Sequence, residues 1–591
     1  MLSRCNLDYG YVDFGNQLIK AWPSAVCVSA EELRKRFPFR AELRAAWRIR
    51  NLRLANQELD VLVVVDSNFP ATLPVIAMTE VTKRITIPHL DSSGVFCLFP
   101  GHATFERPVG VDHLRQLFSE LEELLWDSES GDNQDDFLRE IHSYWNWDAV
   151  PLGQAVIPYA LPAESAIWYA SKLGPDFVFG PSIEKINSWS VAVKKSISTP
   201  TKALVLKLPL PLYPDQYPRS AHDVVQLADR VNASSIVDQV LNCWREQSEI
   251  PIVICFEFEG KVYSVATVIQ PINQIHNRGK SRCFGLKRQS GCGRRKSAAF
   301  HRKAFQLASS PLPRLSTVQT DRRSLLNRTA GKFSKGLEYG KVMILGCGSV
   351  GAEVAEKLAQ AGVGSLTLVD GESLSWQNIG RHVLGGSCVG HNKAVAMQER
   401  ILSRFPDCKV ISVPRHWQEM YETDIKFFDD YDIVVSLTAD VASNVILSGL
   451  VRSGSIPHAV YGWLEPFAFA AHAIFQPVGG IPLTDMLESN GVPRAAVIAP
   501  ASTGHYSIEP SCGATFQAYS SLEALNGVAL ISELVVDCLR DRLDRTAHRV
   551  WIGAQDAIEI HGLVLNQHWK NRLYPGGFKR QHSLPVPVCP E

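Results

Sequence analysis

No stretch of this 591-residue chain approaches the run of roughly 18 to 20 apolar residues that a membrane-spanning helix needs. Its amino terminus, MLSRCNLDYGYVDFGNQ, holds no apolar signal core, so a soluble, cytoplasmic protein is expected. Excess charge is missing too: 60 basic and 60 acidic residues cancel, which argues against any requirement for nucleic acid or an anionic membrane. Thirteen cysteines lack short regular spacing, which suits reduced thiols better than a disulfide framework. Internal repeats and low-complexity tracts are absent, so function must be sought in local sites.

What is present is enough apolar sequence, 46%, to bury several cores, and the length predicts three to four domains of roughly 150 residues. Residues 1–150 read as α+β, with a helical stretch near Ala30 to Arg50, a strand at Val61–Val65 and a helix from Val111 to Trp126. In that last segment Leu114, Leu117, Phe118, Leu121, Leu124 and Leu125 recur at three and four, one buried helical face. Residues 151–275 form a mixed α/β middle domain with strand runs at Ala203–Leu210 and Pro251–Pro271 around a helical stretch near Asp223 to Arg245. Ten Lys or Arg and no acid fall between Arg278 and Lys303, so 276–319 reads as a basic linker. From residue 320 to 591 the pattern turns to β-α-β: strand Val342–Leu345, helix Ala352–Ala361 and strand Ser365–Asp370 open a doubly wound sheet.

Between the first strand and helix stands Gly346-Cys-Gly348-Ser-Val-Gly351, whose amides and helix terminus can hold a phosphate chain. Asp370 ends the next strand, where a carboxylate can meet a ribose hydroxyl. NAD would explain that much equally well. A series of polar groups beyond the second strand, Glu372, Asn378, Arg381 and Lys393, goes further. Turning a carboxylate into an acyl-adenylate needs cations at the phosphates and a metal ligand, and Arg381, Lys393 and Asp440 can supply them.

The phrases ILGCGSVGAEVAEKLAQAGVGSLTLVDGE, WQNIGRH, VGHNK and SLTAD resemble, in order, those of the ThiF/MoeB and ubiquitin-activating superfamily over roughly residues 320 to 560. The resemblance implies a Rossmann-like adenylation domain that uses ATP and Mg2+. It places Gly346, Gly348, Gly351, Asp370, Asn378, Arg381, Lys393 and Asp440 at nucleotide-binding positions, with Asp440 holding Mg2+ and Arg381 and Lys393 on the phosphates. Two departures stand out. The segment PVGGIPLTDM lacks the cysteines with which many relatives bind zinc, and no Cys-x-x-Cys occurs anywhere, so no zinc is expected. His382 follows the arginine where the family has Gln, and Asn444 or a neighbour replaces a basic residue after Asp440.

Cys512, in Glu-Pro-Ser-Cys-Gly-Ala-Thr, precedes an apolar stretch read as a helix from Phe516 to Leu539. A helix amino terminus would lower its pKa, and the resemblance makes it the thiol that captures the adenylate. Cys347, Cys388 and Cys538 read as packing residues. A second resemblance, to ubiquitin-conjugating domains, rests on DSNFPATLPV and PHLDSSGVFCL within residues 30 to 150. It implies that Cys97 is the active-site thiol. His89 occupies the position where such domains carry an oxyanion-steadying Asn, a role that imidazole can fill as readily as a structural one. His102 is a weaker candidate. The stretch Asp135–Trp145, with core aromatics, ends this domain.

The order of domains resembles that of bacterial proteins of CBASS antiphage operons that fuse both activities. It implies a partner with an activatable C-terminus, a cGAS-like nucleotidyltransferase or ubiquitin-like protein, a lysine-bearing acceptor, and a homodimeric assembly. Rival readings are sulfur-carrier adenylation, which leaves the first 150 residues idle, and a non-catalytic nucleotide-binding scaffold. No His-x-His with a spaced Asp suggests a deconjugating metalloprotease.

Overall fold

The computed structural model describes residues 4–38, 40, 42–80, 86–98, 109–147, 151–242, 249–270, 312–326, 336–489, 491–499, 506–508, 515–570 and 580–584. The chain divides into two compact units. The first holds residues 1–157, 161–186 and 197–318; the second holds 158–160, 187–196 and 319–591. Among the described residues no helix is long and apolar enough to cross a membrane.

The first unit opens with a four-stranded antiparallel sheet in sequence order, Val26–Cys27, Leu43–Leu54, Gln57–Asp66 and Val75–Met78. Side chains along a strand alternate between faces, and here both faces are covered. Val61, Val63 and Val65 pack with Phe14, Leu18 and the Leu114–Leu125 stripe of the Val111–Ser130 helix. Leu62 and Val64 pack with Leu33, Phe37 and Val95 on the other side. That double burial explains the continuous apolar run Val61–Val65.

The expected helix over Ala30 to Arg50 is only half present. Ala30–Arg36 is helical, capped by the Ser29 side chain, but Leu43–Leu54 is a strand. Its helix-favouring Leu, Ala and Arg residues are overruled by pairing with the sheet's most apolar strand, Trp47 opposite Val63 and Ile49 opposite Val61.

A closed seven-stranded barrel follows, spatial order Lys261–Ile269, Arg314–Gln319, Gln154–Ile157, Asp176–Gly180, Ala166–Leu173, Thr201–Lys207 and Ile250–Phe258. The expected helical stretch near Asp223 to Arg245 includes two helices, Ala221–Arg230 and Ser234–Asn242. The linker expected over 276–319 needs correction at its end: Arg314–Gln319 is a barrel strand, paired antiparallel with Lys261–Ile269 through Ala266↔Leu315 and Thr267↔Arg314. Residues 271–311 lie outside the described residues. The short helices Asp136–Arg139 and Ile141–Trp145 bury Phe137, Leu138, Ile141, Tyr144 and Trp145 in one cluster with barrel residues such as Leu204, Ile254 and Phe256. The Trp145 indole N–H donates to the Ala266 carbonyl at 3.1 Å, and the Arg314 guanidinium lies 5.0 Å from the Trp145 ring centroid.

The second unit is built on an eight-stranded sheet in the order Lys409–Val413, Ser365–Val369, Lys341–Leu345, Ile433–Ser436, Ala459–Leu464, Ala470–Gln476, Ala547–Ile552 and Arg580–Leu584. The first five are parallel and the rest antiparallel. Val342 and Ile344 face a cluster with the helices Ser349–Ala361 and Ser521–Cys538, while Met343 and Leu345 face one with Val441–Ser453. The chain winds outward from Lys341–Leu345 and then returns to its other side at Ile433–Ser436. That reversal opens a crevice beyond the carboxyl ends of these two strands.

Candidate active site

The crevice collects the residues that the spacing singled out. Gly346 leaves the strand at φ +89, and a Cβ on Gly351 would lie 1.9 Å from the Gly346 carbonyl oxygen. Both positions thus demand glycine for the turn itself. Gly348, the N-cap of Ser349–Ala361, differs: its φ is −69 and a Cβ would meet nothing within 4 Å. Neither backbone nor packing requires glycine there, so what its small size leaves open is approach by a ligand to the first amides of the helix. This open cradle fits a nucleotide phosphate.

Asp370 supports the turn from the next strand. Its Oδ2 accepts the Cys347 N–H at 2.6 Å and its Oδ1 the Glu372 N–H at 2.8 Å. The Asn378 Oδ1 accepts the backbone N–H and the hydroxyl of Ser375, both at 3.1 Å. Lys393 is nearly buried, and its ammonium lies 2.5 Å from Glu372 Oε2, which holds the Glu372 carboxyl below the usual carboxylate range. The departure at His382 has a local reason. Its ring bridges the Cys347 carbonyl (2.8 Å, Nε2) and the Leu384 N–H (3.1 Å, Nδ1), so the imidazole is neutral, with the proton on Nε2, and braces the glycine turn.

Asp440 caps Val441–Ser453, its Oδ1 accepting the N–H groups of Ala442 (3.0 Å) and Ser443 (3.3 Å). Ala439, before it, has φ +56, strained for a residue with a Cβ. No cluster of three or more His, Cys, Asp or Glu able to hold a metal occurs among the described residues. A lone carboxylate at a phosphate site nonetheless fits Mg2+, which usually keeps several waters and takes one or two protein carboxylates beside phosphate oxygens. Asn444 is buried and accepts the Ser436 hydroxyl at 2.6 Å. Ala439, Val441 and Asn444 line a cavity of about 490 Å³ with Trp463, Pro493 and Gln517.

Arg381 donates from Nη1 to the Gln517 carbonyl at 3.2 Å and its guanidinium lies 5.1 Å from the Tyr519 ring centroid. Cys512 itself lies outside the described residues. The helix invoked to lower its pKa needs correction: it runs Ser521–Cys538, capped by a Ser520–Glu523 box, and a strand, Thr515–Gln517, comes first. The helix thus begins nine residues after Cys512 in sequence (521 less 512) rather than at Phe516. Cys347 is buried, and burial pushes its thiol far up. Cys388 and Cys538 are half-buried against the same apolar cluster, which agrees with packing roles.

In the first unit, Cys97 reaches the surface. Protein atoms around its sulfur push the thiol pKa up, Asp91 and Glu140 add to this, and Arg40 opposes it. The Cys97 N–H donates to the His89 carbonyl at 2.7 Å. His89, at φ +59, is fastened on every side: Nε2 lies 3.1 Å from Asp136 and Nδ1 3.2 Å from Glu140. Its backbone N–H donates to the Tyr144 hydroxyl at 2.6 Å, which donates to Glu140 Oε2 at 3.0 Å. Bonding to Glu140 raises the His89 pKa and lowers that of Glu140. Both ring nitrogens are therefore engaged by carboxylates, the arrangement of a structural cross-link. Spacing in sequence could not show partners 47 and 51 residues away. His102 lies outside the described residues.

Residues 37–150 match prokaryotic E2 family B, and residues 321–466 match the ThiF family. The chain thus fuses an E2-like domain to a ThiF-type domain. The chain is 34% identical over 113 residues to the ATP-dependent ubiquitin transferase-like protein Cap2 of Enterobacter hormaechei, 19% of either length. It is 37% identical over 111 residues to the protein of that name in Pseudomonas aeruginosa, 18% of this chain and 20% of that one. These stretches span about a fifth of the relatives' length. The crystal structure of E. coli MccB matches 36% of the chain and 60% of its own at 18% identity, with a TM-score of 0.27.

Buried histidines make the ThiF-type unit sensitive to acid. Burial, with His472 nearby, holds His548 well below its ordinary 6.5, and burial also lowers His382. Below 6.5 the unfolded chain takes up protons that the folded one refuses, so the stability present above that pH is lost as pH falls. Calorimetry should show the unfolding midpoint falling by roughly 3 °C or more between about pH 7.5 and about 5.5, and falling less for His548→Gln.

Proposed function

We propose that this chain adenylates the C-terminal carboxylate of a partner protein, captures it on Cys512, passes it to Cys97 and joins it to a lysine amine. In the first step a carboxylate oxygen attacks the α-phosphorus of ATP and pyrophosphate leaves. The Cys512 thiolate then displaces AMP, and the Cys97 thiol takes the acyl group by exchange, returning a proton to Cys512. Lysine attack forms the amide and frees Cys97. Bound Mg2+, held by Asp440, would offset phosphate charge.

One observation carries the reading: an open phosphate cradle at the ThiF-type crevice and a cross-braced surface cysteine in an E2-like domain occur in one chain. The raised pKa of Cys97 suits the last station of such a relay, because a more basic thiolate leaves less readily and keeps its acyl group until an amine arrives. The 490 Å³ cavity beside Asp440 is roomy and apolar enough for an extended C-terminal tail. The sequence resemblance favours a cGAS-like nucleotidyltransferase or a ubiquitin-like protein as the partner, a homodimeric enzyme, and a role in antiphage defence.

The test incubates the chain with ATP, Mg2+ and a candidate partner and separates adducts with and without excess free thiol. Cys97→Ala should stop at a thiol-cleavable adduct on Cys512. Cys512→Ala should carry no adduct on Cys97. An amide product formed by both variants would refute the relay.

A further inference from the structure

The nucleotide crevice contains a contact that neither the glycine turn nor the phosphate-binding series anticipates. The short strand Thr515–Gln517 pairs antiparallel with Tyr506–Ile508, Gln517 opposite Tyr506. Three residues after Gln517, Ser520 caps the next helix: Glu523 Oε2 accepts its N–H at 2.8 Å and its hydroxyl at 2.9 Å, while Ser520 Oγ accepts the Glu523 N–H at 3.3 Å. Tyr519 stands between a hydrogen-bonded hairpin and a capped helix, two elements that fix where its ring goes.

From there it reaches both phosphate-facing elements. Its hydroxyl lies 2.6 Å from Oγ of Ser349, the first residue of the helix that follows Gly348. Its ring meets the Arg381 guanidinium at 5.1 Å, and Arg381 also donates to the carbonyl of Gln517, on the same segment, at 3.2 Å. An aromatic face holds a guanidinium by charge and shape while leaving in-plane N–H groups directed outward, an arrangement that lysine cannot reproduce. Gln517 also lines the cavity beside Asp440, so the segment borders both the phosphate side and the acyl side of the crevice.

We propose that Tyr519 is a positioning residue for nucleotide activation. Its ring presents Arg381 to the phosphates, its hydroxyl steadies the first helical turn at Ser349, and nucleotide binding in turn makes the Thr515–Tyr519 segment open less often. This segment begins three residues after Cys512 in sequence (515 less 512). The proposal rests on the ATP-dependent reading above.

The experiment needs no partner protein. Binding of the non-hydrolysable ATP analogue AMPPCP with Mg2+ is titrated calorimetrically, and hydrogen exchange of peptides covering 515–519 is followed with and without it. Tyr519→Leu, which lacks the aromatic face, should bind about tenfold more weakly. Tyr519→Phe, which keeps it, should stay within about threefold of the natural protein. Nucleotide should protect the segment in the natural protein, and this protection should vanish in Tyr519→Leu even at saturation. If Tyr519→Leu does not fold, Arg381→Lys should reproduce both effects. Unchanged affinity, or weakened affinity with protection intact, would overturn the proposal. A natural protein that binds no AMPPCP would instead refute the ATP-dependent reading itself.

Discussion

Gly348→Val should leave the ThiF-type unit folded and weaken its hold on ATP, whereas Gly351→Ala should destabilise the unit itself. The two glycines lie three residues apart in one turn, yet they are glycine for different reasons. A Cβ at Gly351 would lie 1.9 Å from a backbone carbonyl oxygen, so the turn and the helix must separate, at a cost of roughly 3 kcal/mol. At Gly348 the backbone is extended and the space above is open. Valine there should cost the fold less than about 1 kcal/mol, the scale of an N-cap change. It fills the approach to the helix amides, and losing two bonds to a charged phosphate at about 1.5 kcal/mol each weakens binding roughly a hundredfold. Thermal unfolding and ATP calorimetry on both variants check this. Equal affinity in Gly348→Val would mean that no phosphate occupies the turn.

The second large effect concerns His89. As a cross-link, its loss should loosen the loop that carries Cys97, so His89→Ala and Glu140→Gln should each slow Cys97 loading roughly five- to tenfold. His89→Asn should not restore it, although asparagine is what the resembled family carries. A donor to the oxyanion would behave otherwise: the thioester would form normally, only aminolysis would slow, and asparagine would rescue it. The pH dependence follows from the direction of each shift. His89 is raised above its ordinary 6.5, so its contribution is complete below that value and is lost as pH rises through the raised pKa. Glu140 is lowered from its ordinary 4.5, so its contribution is present above 4.5 and lost as pH falls through the lowered pKa. The cross-link is thus strongest between about pH 4.5 and 6.5. Hydrogen exchange of residues 86–98, corrected for intrinsic rate, should show more protection near pH 6 than near pH 8.5, a difference that His89→Ala removes.

What could be read from sequence was whatever sits close together along the chain. The glycine turn, the Asp370 after the second strand and the Leu114–Leu125 stripe depend on local period and spacing, and each matches the structure. So would the helix start at Ser520, whose Ser-x-x-Glu pattern was there to be read. The apolar run beginning at Phe516 hides that start, and strand pairing with Tyr506–Ile508 claims the first residues of the run. Leu43–Leu54 escaped for a similar reason, since its preference is helical and its partner strand decides the outcome. The engagement of His89 by Asp136 and Glu140, and of Arg381 by Tyr519, joins residues 47 to 138 positions apart (136 less 89; 519 less 381). Only the fold makes those neighbours.

The pairing of Lys261–Ile269 with Arg314–Gln319 changes what the basic stretch between them is in engineering terms. The strands before and after it are neighbours in one barrel, so its two ends belong to the same domain. Loop-closure entropy grows only slowly with length. In entropic terms, pairing of these two strands tolerates a connection of widely varying length.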